Sequence, residues 1–250
     1  MFKINIEQDF KDFFGVEREE FLSKFDLNDV NKIKRFAFNQ IKPHDKESAK
    51  LVYHSPWLNA FNLSKIGVDF FEKSQVNPQL HKNPVIQIPL REFKDKNISI
   101  LDFGCGLANY SIALYSLGYK DISLADIPTM TFKFLRFLCT RYKISVKFLE
   151  IKNENWLKDN KFHYIINSEV MEHLWNPVEE MRELLAHLYP GGWMYLSTFF
   201  NDLGGEDPTH LSHNNKFQDS ELWYKELEKI GLYRKIRDEN GVWKGFRKID

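Results

Sequence analysis

The sequence predicts an α/β fold, in which a mainly parallel sheet carries helices on both faces and follows a helical region. After about residue 95, short apolar runs alternate with helix-like segments, which is typical of repeated strand–helix units. Before that point, apolar residues recur at helical spacing and prolines interrupt them. A glycine-rich turn at Gly104–Gly106 then follows the first apolar run. We therefore divide the chain into a helical cap, residues 1–95, and a ligand-binding domain, residues 96–250.

The helical cap is predicted from clusters of apolar residues. The clusters are Phe10, Phe13 and Phe14; Phe21, Leu22 and Phe25; and Val30, Ile33, Phe36, Ala37 and Ile41. Asp26 or Asn28 can cap the third helix. The loop at Tyr53–Trp57 mixes polar and aromatic groups, so it either lines a binding pocket or connects two packed helices. We favour the packed connection, because aromatic side chains are more often core than site.

The second part of the chain alternates strands with helices. The predicted strands are Ile98–Phe103, Ile122–Ala125, Val146–Ile151, Tyr164–Asn167 and Trp193–Thr198. The predicted helices are Ala108–Leu117, Met130–Tyr142, Pro177–Leu188 and Ser220–Ile230, with Pro190–Gly192 ending the third of them. Leu232–Ile236 and Val242–Arg247 are expected to form a closing antiparallel pair. Sheets of this kind bind ligands at the carboxyl ends of their strands.

Composition excludes several classes of protein. The 250 residues are 43% apolar and 28% charged, which is incompatible with wholesale disorder. The 35 basic and 35 acidic residues cancel, so a nucleic-acid partner held by phosphate attraction is not favoured.

No apolar run is long enough to span a membrane, and the start at Met1 lacks an apolar leader. Cys105 and Cys139 are the only cysteines, which fits the reducing cytoplasm, our expected location. The oligomeric state is left open.

The glycine-rich turn is the strongest local signal for a ligand. Gly104 and Gly106 lack a Cβ atom, so a ligand can lie against the backbone, and the next helix begins with free N–H groups. Asp102 stands where a carboxylate can reach a cationic amino group. Asp126 ends the next strand, where an acid can accept hydrogen bonds from ribose hydroxyls. The alternative is that Asp102 caps the turn and Asp126 caps the following helix.

These motifs resemble those of the class I S-adenosylmethionine-dependent methyltransferases. The resemblance rests on Asp102–Gly106, Asp126, Phe162–Glu169 and Leu188–Thr198, which occur in the family's order. It implies a Rossmann-like methyltransferase sheet and a cofactor site for S-adenosylmethionine. The implied cofactor contacts are Asp102, Gly104, Gly106, Asp126, Ile127 and Ser168. Asn153 is a candidate for the adenine amino group.

A second cluster of polar residues follows the fourth strand. If Glu169 begins a helical turn, Glu169, Glu172 and His173 lie on one face. A long loop after the fifth strand supplies His210 and His213. Carboxylates and imidazoles that converge at the carboxyl end of a strand are suitable ligands for a divalent metal.

This second pattern resembles two groups of metal-assisted O-methyltransferases, which act in ubiquinone biosynthesis and at the 3′ ends of small RNAs. The resemblance implies Glu169, Glu172, His173 and His210 as ligands of a divalent metal, Mn²⁺ or Mg²⁺, and His210 fits the pattern better than His213. His173 and His210 are also the candidate catalytic residues, because Glu-x-x-Glu-His occurs in relatives without a metal, where the histidine can act as a base.

The expected function is O-methyl transfer to a small-molecule acceptor, which the helical cap, residues 1–95, is expected to bind and select. A faint likeness to capsule-locus methyltransferases implies a sugar, phosphate or phosphoramidate group in surface or capsular polysaccharide biosynthesis. One alternative is an RNA 3′-terminal 2′-O-methyltransferase. The other is a non-catalytic cofactor-binding partner of a second methyltransferase.

Overall fold

The computed structural model describes residues 5–24, 39, 46–63, 82–152, 156–200 and 210–249. Seven strands form one sheet: β1 Ile100–Phe103, β2 Ile122–Asp126, β3 Lys147–Glu150, β4 Phe162–Ser168, β5 Leu188–Ser197, β6 Leu232–Arg237 and β7 Trp243–Lys248. Their order is β3-β2-β1-β4-β5-β7-β6. The first five strands are parallel, and β7 runs antiparallel to both β5 and β6. The predicted α/β fold and its closing antiparallel pair are confirmed.

Nine α-helices surround the sheet in the described part of the chain. They are α1 Ile6–Phe14, α2 Arg18–Ser23, α3 Lys46–Tyr53, α4 Pro56–Asn62, α5 Pro84–Glu92, α6 Asn109–Ser116, α7 Met130–Arg141, α8 Pro177–Ala186 and α9 Ser220–Lys229. Two 3₁₀ turns, Met171–His173 and Ser212–Gln218, lie after β4 and before α9. None of these helices is both long and apolar enough to cross a bilayer. The helix expected over Val30–Ile41 lies outside the described residues, as does Asn153.

The sequence suggested that Pro190–Gly192 separates a helix from a strand. The structure instead places this segment inside β5. Leu188 pairs with Phe162 of β4, and the next paired residue of β5, Trp193, pairs with Tyr164. Because β5 has more residues than β4 between these two pairs, β5 bulges. The bulge needs glycine, because a Cβ atom on Gly192 would lie 2.8 Å from the carbonyl oxygen of Tyr189.

Two apolar layers cover the two faces of the sheet. Ile6 and Phe10 of α1 and Val85 of α5 belong to the layer that includes α6 and α7. The opposite layer includes α8 and α9. At the first layer, the guanidinium Nε of Arg141 lies 2.7 Å from the buried carboxylate Oδ1 of Asp9 and fastens α1 to α7. The N-terminal helices therefore share a core with the sheet, and a separate cap over residues 1–95 stays a prediction.

Candidate active site

The turn between β1 and α6 has a left-handed backbone at both glycines, with φ of 68° at Gly104 and 52° at Gly106. The two glycines serve different purposes. A Cβ atom on Gly104 would lie 2.5 Å from a methyl group of Val170, so packing requires this glycine. A Cβ atom on Gly106 would meet no protein atom within 4 Å. Gly106 therefore faces the open space in which a ligand would lie.

Asp126 holds the turn from the end of β2. Its Oδ2 accepts a hydrogen bond from the backbone N–H of Gly106 (2.9 Å), and its Oδ1 accepts one from Ile127 (2.8 Å). Burial raises the pKa of Asp126 to about 6, although these two N–H groups oppose the shift. The alternative role, capping the next helix, is wrong, because the hydroxyl of Thr129 caps α7 by accepting from the N–H of Phe132.

Asp102 lies behind the turn. Its carboxylate is buried and accepts a hydrogen bond of 2.6 Å from the hydroxyl of Ser111 in α6. Burial raises the pKa of Asp102 to about 7, and the Ser111 hydrogen bond opposes this rise. Ser168 likewise hydrogen-bonds to Tyr110. Neither Asp102 nor Ser168 lines the cavity described next, so direct contact with a cofactor stays a prediction for both.

A cavity of about 420 Å³ lies at the carboxyl ends of β1, β2 and β4. Its walls come from the N-terminal helices, the glycine turn, the end of β2 and the segment after β4: Tyr53, Asn62, Phe103, Gly104, Gly106, Leu107, Asn109, Asp126, Ile127, Thr129, Thr131, Ile151, Glu169, Val170, His173, Leu174, Trp175 and Glu180. Three of these residues, Asp126, Glu169 and Glu180, are acidic, and no described wall residue is lysine or arginine. Such a cavity favours a positively charged ligand.

Among the wall residues outside the predicted site set are Asn62 and also Tyr53, which belongs to the loop that the sequence assigned either to a pocket wall or to a packed connection. Asn59 fixes their helices, because its side-chain N–H donates to the carbonyl of Tyr53 (2.9 Å) and its Oδ1 accepts from the backbone N–H of Thr131 (3.3 Å). Tyr53 therefore both borders the cavity and belongs to the packed connection between α3 and α4, so the two interpretations of this loop are compatible for this residue. No motif in the sequence marks this long-range contact. The side chain of Trp57 lies outside the described part.

The backbone at Glu169 is left-handed, with φ of 54°, and the 3₁₀ turn starts only at Met171. The prediction that Glu169, Glu172 and His173 share one face of a helical turn is therefore wrong. Glu169 lines the cavity, and its Oε1 accepts a hydrogen bond from the hydroxyl of Ser197. A left-handed conformation in a non-glycine residue is uncommon and is often found at functional sites.

Glu172, His173 and His210 do come together. Each offers a possible ligand atom, and these atoms lie within 4.8 Å of one another. The two imidazole ring centroids are 4.9 Å apart. The backbone N–H of Leu211, the residue after His210, donates to the carbonyl of Glu172 (3.3 Å). Glu169 is outside this three-residue cluster, and the side chain of His213 is outside the described part.

Glu172 is the one carboxylate of this three-residue cluster, and its pKa is strongly perturbed. It is 1% exposed, and burial, followed by the negative charge of Glu169, raises its pKa to about 8. Its Oε1 accepts a hydrogen bond from the N–H of Phe199 (3.4 Å), whereas its Oε2 has no hydrogen-bond partner among the described residues. A buried carboxylate oxygen beside two imidazoles fits the donor set of a divalent ion such as Mn²⁺.

A family model described as a methyltransferase domain matches residues 79–238. Among curated proteins, a ubiquinone biosynthesis O-methyltransferase of Hydrogenovibrio crunogenus is 26% identical over 56% of this chain and 59% of its own length. A tRNA U34 carboxymethyltransferase of Campylobacter hominis is 32% identical over 48% of this chain and 41% of its own length. The chain thus spans well under two thirds of either of these relatives.

Two solved structures share the fold. An O-methyltransferase family protein from Burkholderia thailandensis superposes with a TM-score of 0.52 at 11% identity, covering 83% of this chain and 61% of that one. An S-adenosylmethionine-dependent methyltransferase from Aquifex aeolicus gives a TM-score of 0.51 at 18% identity, covering 73% of this chain and 98% of that one. Both confirm the predicted Rossmann-like sheet.

Proposed function

The chain belongs to the methyltransferase-domain family, and on that premise we propose that it transfers a methyl group from S-adenosylmethionine to an oxygen of a small acceptor, assisted by a divalent ion. One observation supports the proposal most directly. His173 belongs both to the cavity wall and to the cluster with Glu172 and His210. The cavity that contains the glycine turn therefore extends to a group of metal-type ligands.

The residues of the glycine turn fit the cofactor. S-adenosylmethionine supplies a methyl group on a positively charged sulfonium, which is already reactive toward a nucleophile. Gly106 leaves room for the ligand, and Asp126 retains lone pairs that can accept from ribose hydroxyls. The carboxylates of the wall favour the sulfonium charge. The protein then has to align the acceptor with the methyl group and control the acceptor's proton.

The three-residue cluster fits a divalent ion. An ion held by Glu172, His173 and His210 would lower the pKa of the acceptor oxygen and fix its direction. Two imidazoles among the ligands favour Mn²⁺ over Mg²⁺. In the absence of an ion, His173 is the candidate base, because it lines the cavity.

For the acceptor we propose a small molecule. The balanced net charge does not favour a polynucleotide. A neutral sugar hydroxyl of surface or capsular polysaccharide biosynthesis suits the acidic wall better than a phosphate or phosphoramidate group, which would need the ion to offset its charge.

The relative named for tRNA U34 supports a second candidate, an RNA acceptor. The experiment that separates the candidates uses purified protein, labelled S-adenosylmethionine and either a small-molecule cell extract or purified tRNA. We expect Mn²⁺-dependent label in the small-molecule fraction. We also expect its loss with EDTA, while calorimetry still detects S-adenosylhomocysteine binding.

Each other outcome has a defined meaning. Label in the tRNA alone would favour the second candidate. Full transfer by a verified metal-free sample would contradict the role of the ion and leave a histidine base. Cofactor binding without transfer to either fraction would favour a non-catalytic partner of another methyltransferase.

A further inference from the structure

Glu169 contacts Ser197 on two sides, while its carboxyl also hydrogen-bonds to the neighbouring carboxyl of Glu172. Its backbone N–H donates to the carbonyl of Ser197 (2.7 Å), and its Oε1 accepts from the hydroxyl of the same serine. The left-handed backbone turns the chain between this position and Glu172. Glu169 is thus tied to the end of β5 while its side chain borders the cavity.

Lys244 extends this connection to β7. Its ammonium Nζ donates to the hydroxyl oxygen of Ser197 over 2.7 Å. The Ser197 hydroxyl therefore accepts from an ammonium and directs its own proton toward a carboxylate, an arrangement in which each charged partner strengthens the other hydrogen bond. Because Lys244 lies on β7, which pairs with the outer edge of β5, its place is fixed by the sheet.

We propose that Lys244 and Ser197 are positioning residues that hold Glu169 at the cavity as a hydrogen-bond acceptor for the methyl acceptor's hydroxyl, so that the ion's ligands among the described residues are Glu172, His173 and His210 and not Glu169. The inference rests on the proposed function and corrects the four-ligand set predicted from the sequence. It also narrows the acceptor to one that presents an O–H donor, because a carboxylate can only accept.

The physical reason for such a connection is repulsion between two neighbouring carboxylates. The carboxyl of Glu169 lies within hydrogen-bonding reach of the carboxyl of the buried Glu172. An ion at the cluster would attract Glu169 as a further ligand, and the competing attraction of Lys244, transmitted through Ser197, keeps it in place. Loss of Lys244 should release Glu169 toward the ion.

The test is Mn²⁺ affinity, measured by the electron paramagnetic resonance of free Mn²⁺, with S-adenosylhomocysteine calorimetry as the control for folding. Glu172→Gln should weaken Mn²⁺ binding at least about tenfold, whereas Glu169→Gln should change it less than about threefold. Lys244→Met should tighten binding by about fivefold, a coupling of ordinary size for contacting residues. Lys244→Arg, which keeps the charge, should restore the parent affinity.

The double variant Lys244→Met/Glu169→Gln separates the proposed release from a general charge effect. In the double variant, the tightening of Mn²⁺ binding should largely disappear, because position 169 no longer carries a carboxylate that can move toward the ion. Ser197→Ala should tighten binding in the same way and serves if Lys244→Met folds poorly. A purely structural role for Lys244 would weaken Mn²⁺ and cofactor binding together.

Three results would overturn the inference. Glu169→Gln could weaken Mn²⁺ binding as much as Glu172→Gln, which would make Glu169 a ligand. Lys244→Met could act equally with and without Glu169. A parent protein that binds S-adenosylhomocysteine but no Mn²⁺ would overturn both this inference and the ion's part in the proposed function, whereas the first two results leave the proposed function intact.

Discussion

The glycine-turn end of the cavity is formed by one continuous stretch of chain, from β1 to the end of β2, whereas the cluster of Glu172, His173 and His210 joins residues from distant segments. At the glycine-turn end, the carboxylate of Asp126 binds the N–H of Gly106, twenty residues away, across two adjacent parallel strands. At the three-residue cluster, His210 lies beside Glu172 and His173, and the backbone N–H of the next residue, Leu211, donates to the carbonyl of Glu172.

This difference determines which contacts tolerate change. Backbone N–H groups and left-handed glycines define the glycine-turn end of the cavity, so one added side chain can block ligand binding there. Side chains define the three-residue cluster, and their burial and charges determine how strongly the cluster can bind a ligand. Three predictions test this contrast, beginning with the largest expected effect.

Gly106→Val should abolish measurable binding of S-adenosylhomocysteine, with an affinity loss of at least about 100-fold. The branched side chain would enter the space that Gly106 leaves open, at a φ of 52° that valine strongly disfavours. Titration calorimetry measures the loss. Gly241→Val is the matched control, because Gly241 also has a positive φ (78°) and a Cβ atom there would meet nothing within 4 Å, but it lies in the turn between β6 and β7. Equal affinities in the two variants would contradict the proposed ligand position.

Asp126→Ala should weaken S-adenosylhomocysteine binding by about 10- to 100-fold. The change removes a charged acceptor, which is typically worth about 1.5–3 kcal/mol, and also releases the N–H of Gly106. Asp121→Ala is the control, because it removes the same charge from a surface ion pair with Lys147 near the start of β2. If both variants bind as tightly as the parent, Asp126 does not contact the ribose.

Glu172→Gln should make the metal-free protein more stable at high pH. The folded-state pKa of Glu172 is about 8 against an ordinary 4.5, so its contribution to stability is lost as the pH rises through this interval. Glutamine cannot ionise. We therefore expect the melting temperature of the variant to exceed that of the parent by about 5 °C at pH 9 and to be similar at pH 5.

Glu226→Gln provides the control for this pH effect. Glu226 lies on α9, and its hydrogen bond with Lys229 lowers its pKa, so its removal should give no gain at high pH. A melting-temperature gain of equal size in both variants would show that the effect comes from net charge and not from the burial of Glu172.

The local order of the motifs explains why the sheet and the glycine turn could be predicted from the sequence. Strand–helix alternation and the pair Gly106–Asp126 depend on neighbours within one strand–helix–strand unit. The left-handed backbone at Glu169 could not be predicted, because glutamate usually avoids it and tertiary contacts with Ser197 stabilise it here. The bulge at Pro190–Gly192 resembles a helix end in the sequence, because proline and glycine mark both features. Lys244 belongs to no motif and acquires its place only when β7 pairs with β5.

The position of β7 also has a consequence for the order in which the sheet can be completed during synthesis. β7 follows β6 in the chain but lies between β5 and β6 in the sheet. Until residues 243–248 leave the ribosome, the outer edge of β5 lacks its β7 partner, and it exposes the backbone of an apolar strand that includes Trp193 and Met194. Unpaired edges of this kind readily pair with other chains. A pause in translation between β5 and β7 would therefore leave the nascent protein most prone to aggregation, and most dependent on chaperones, just before its sheet closes.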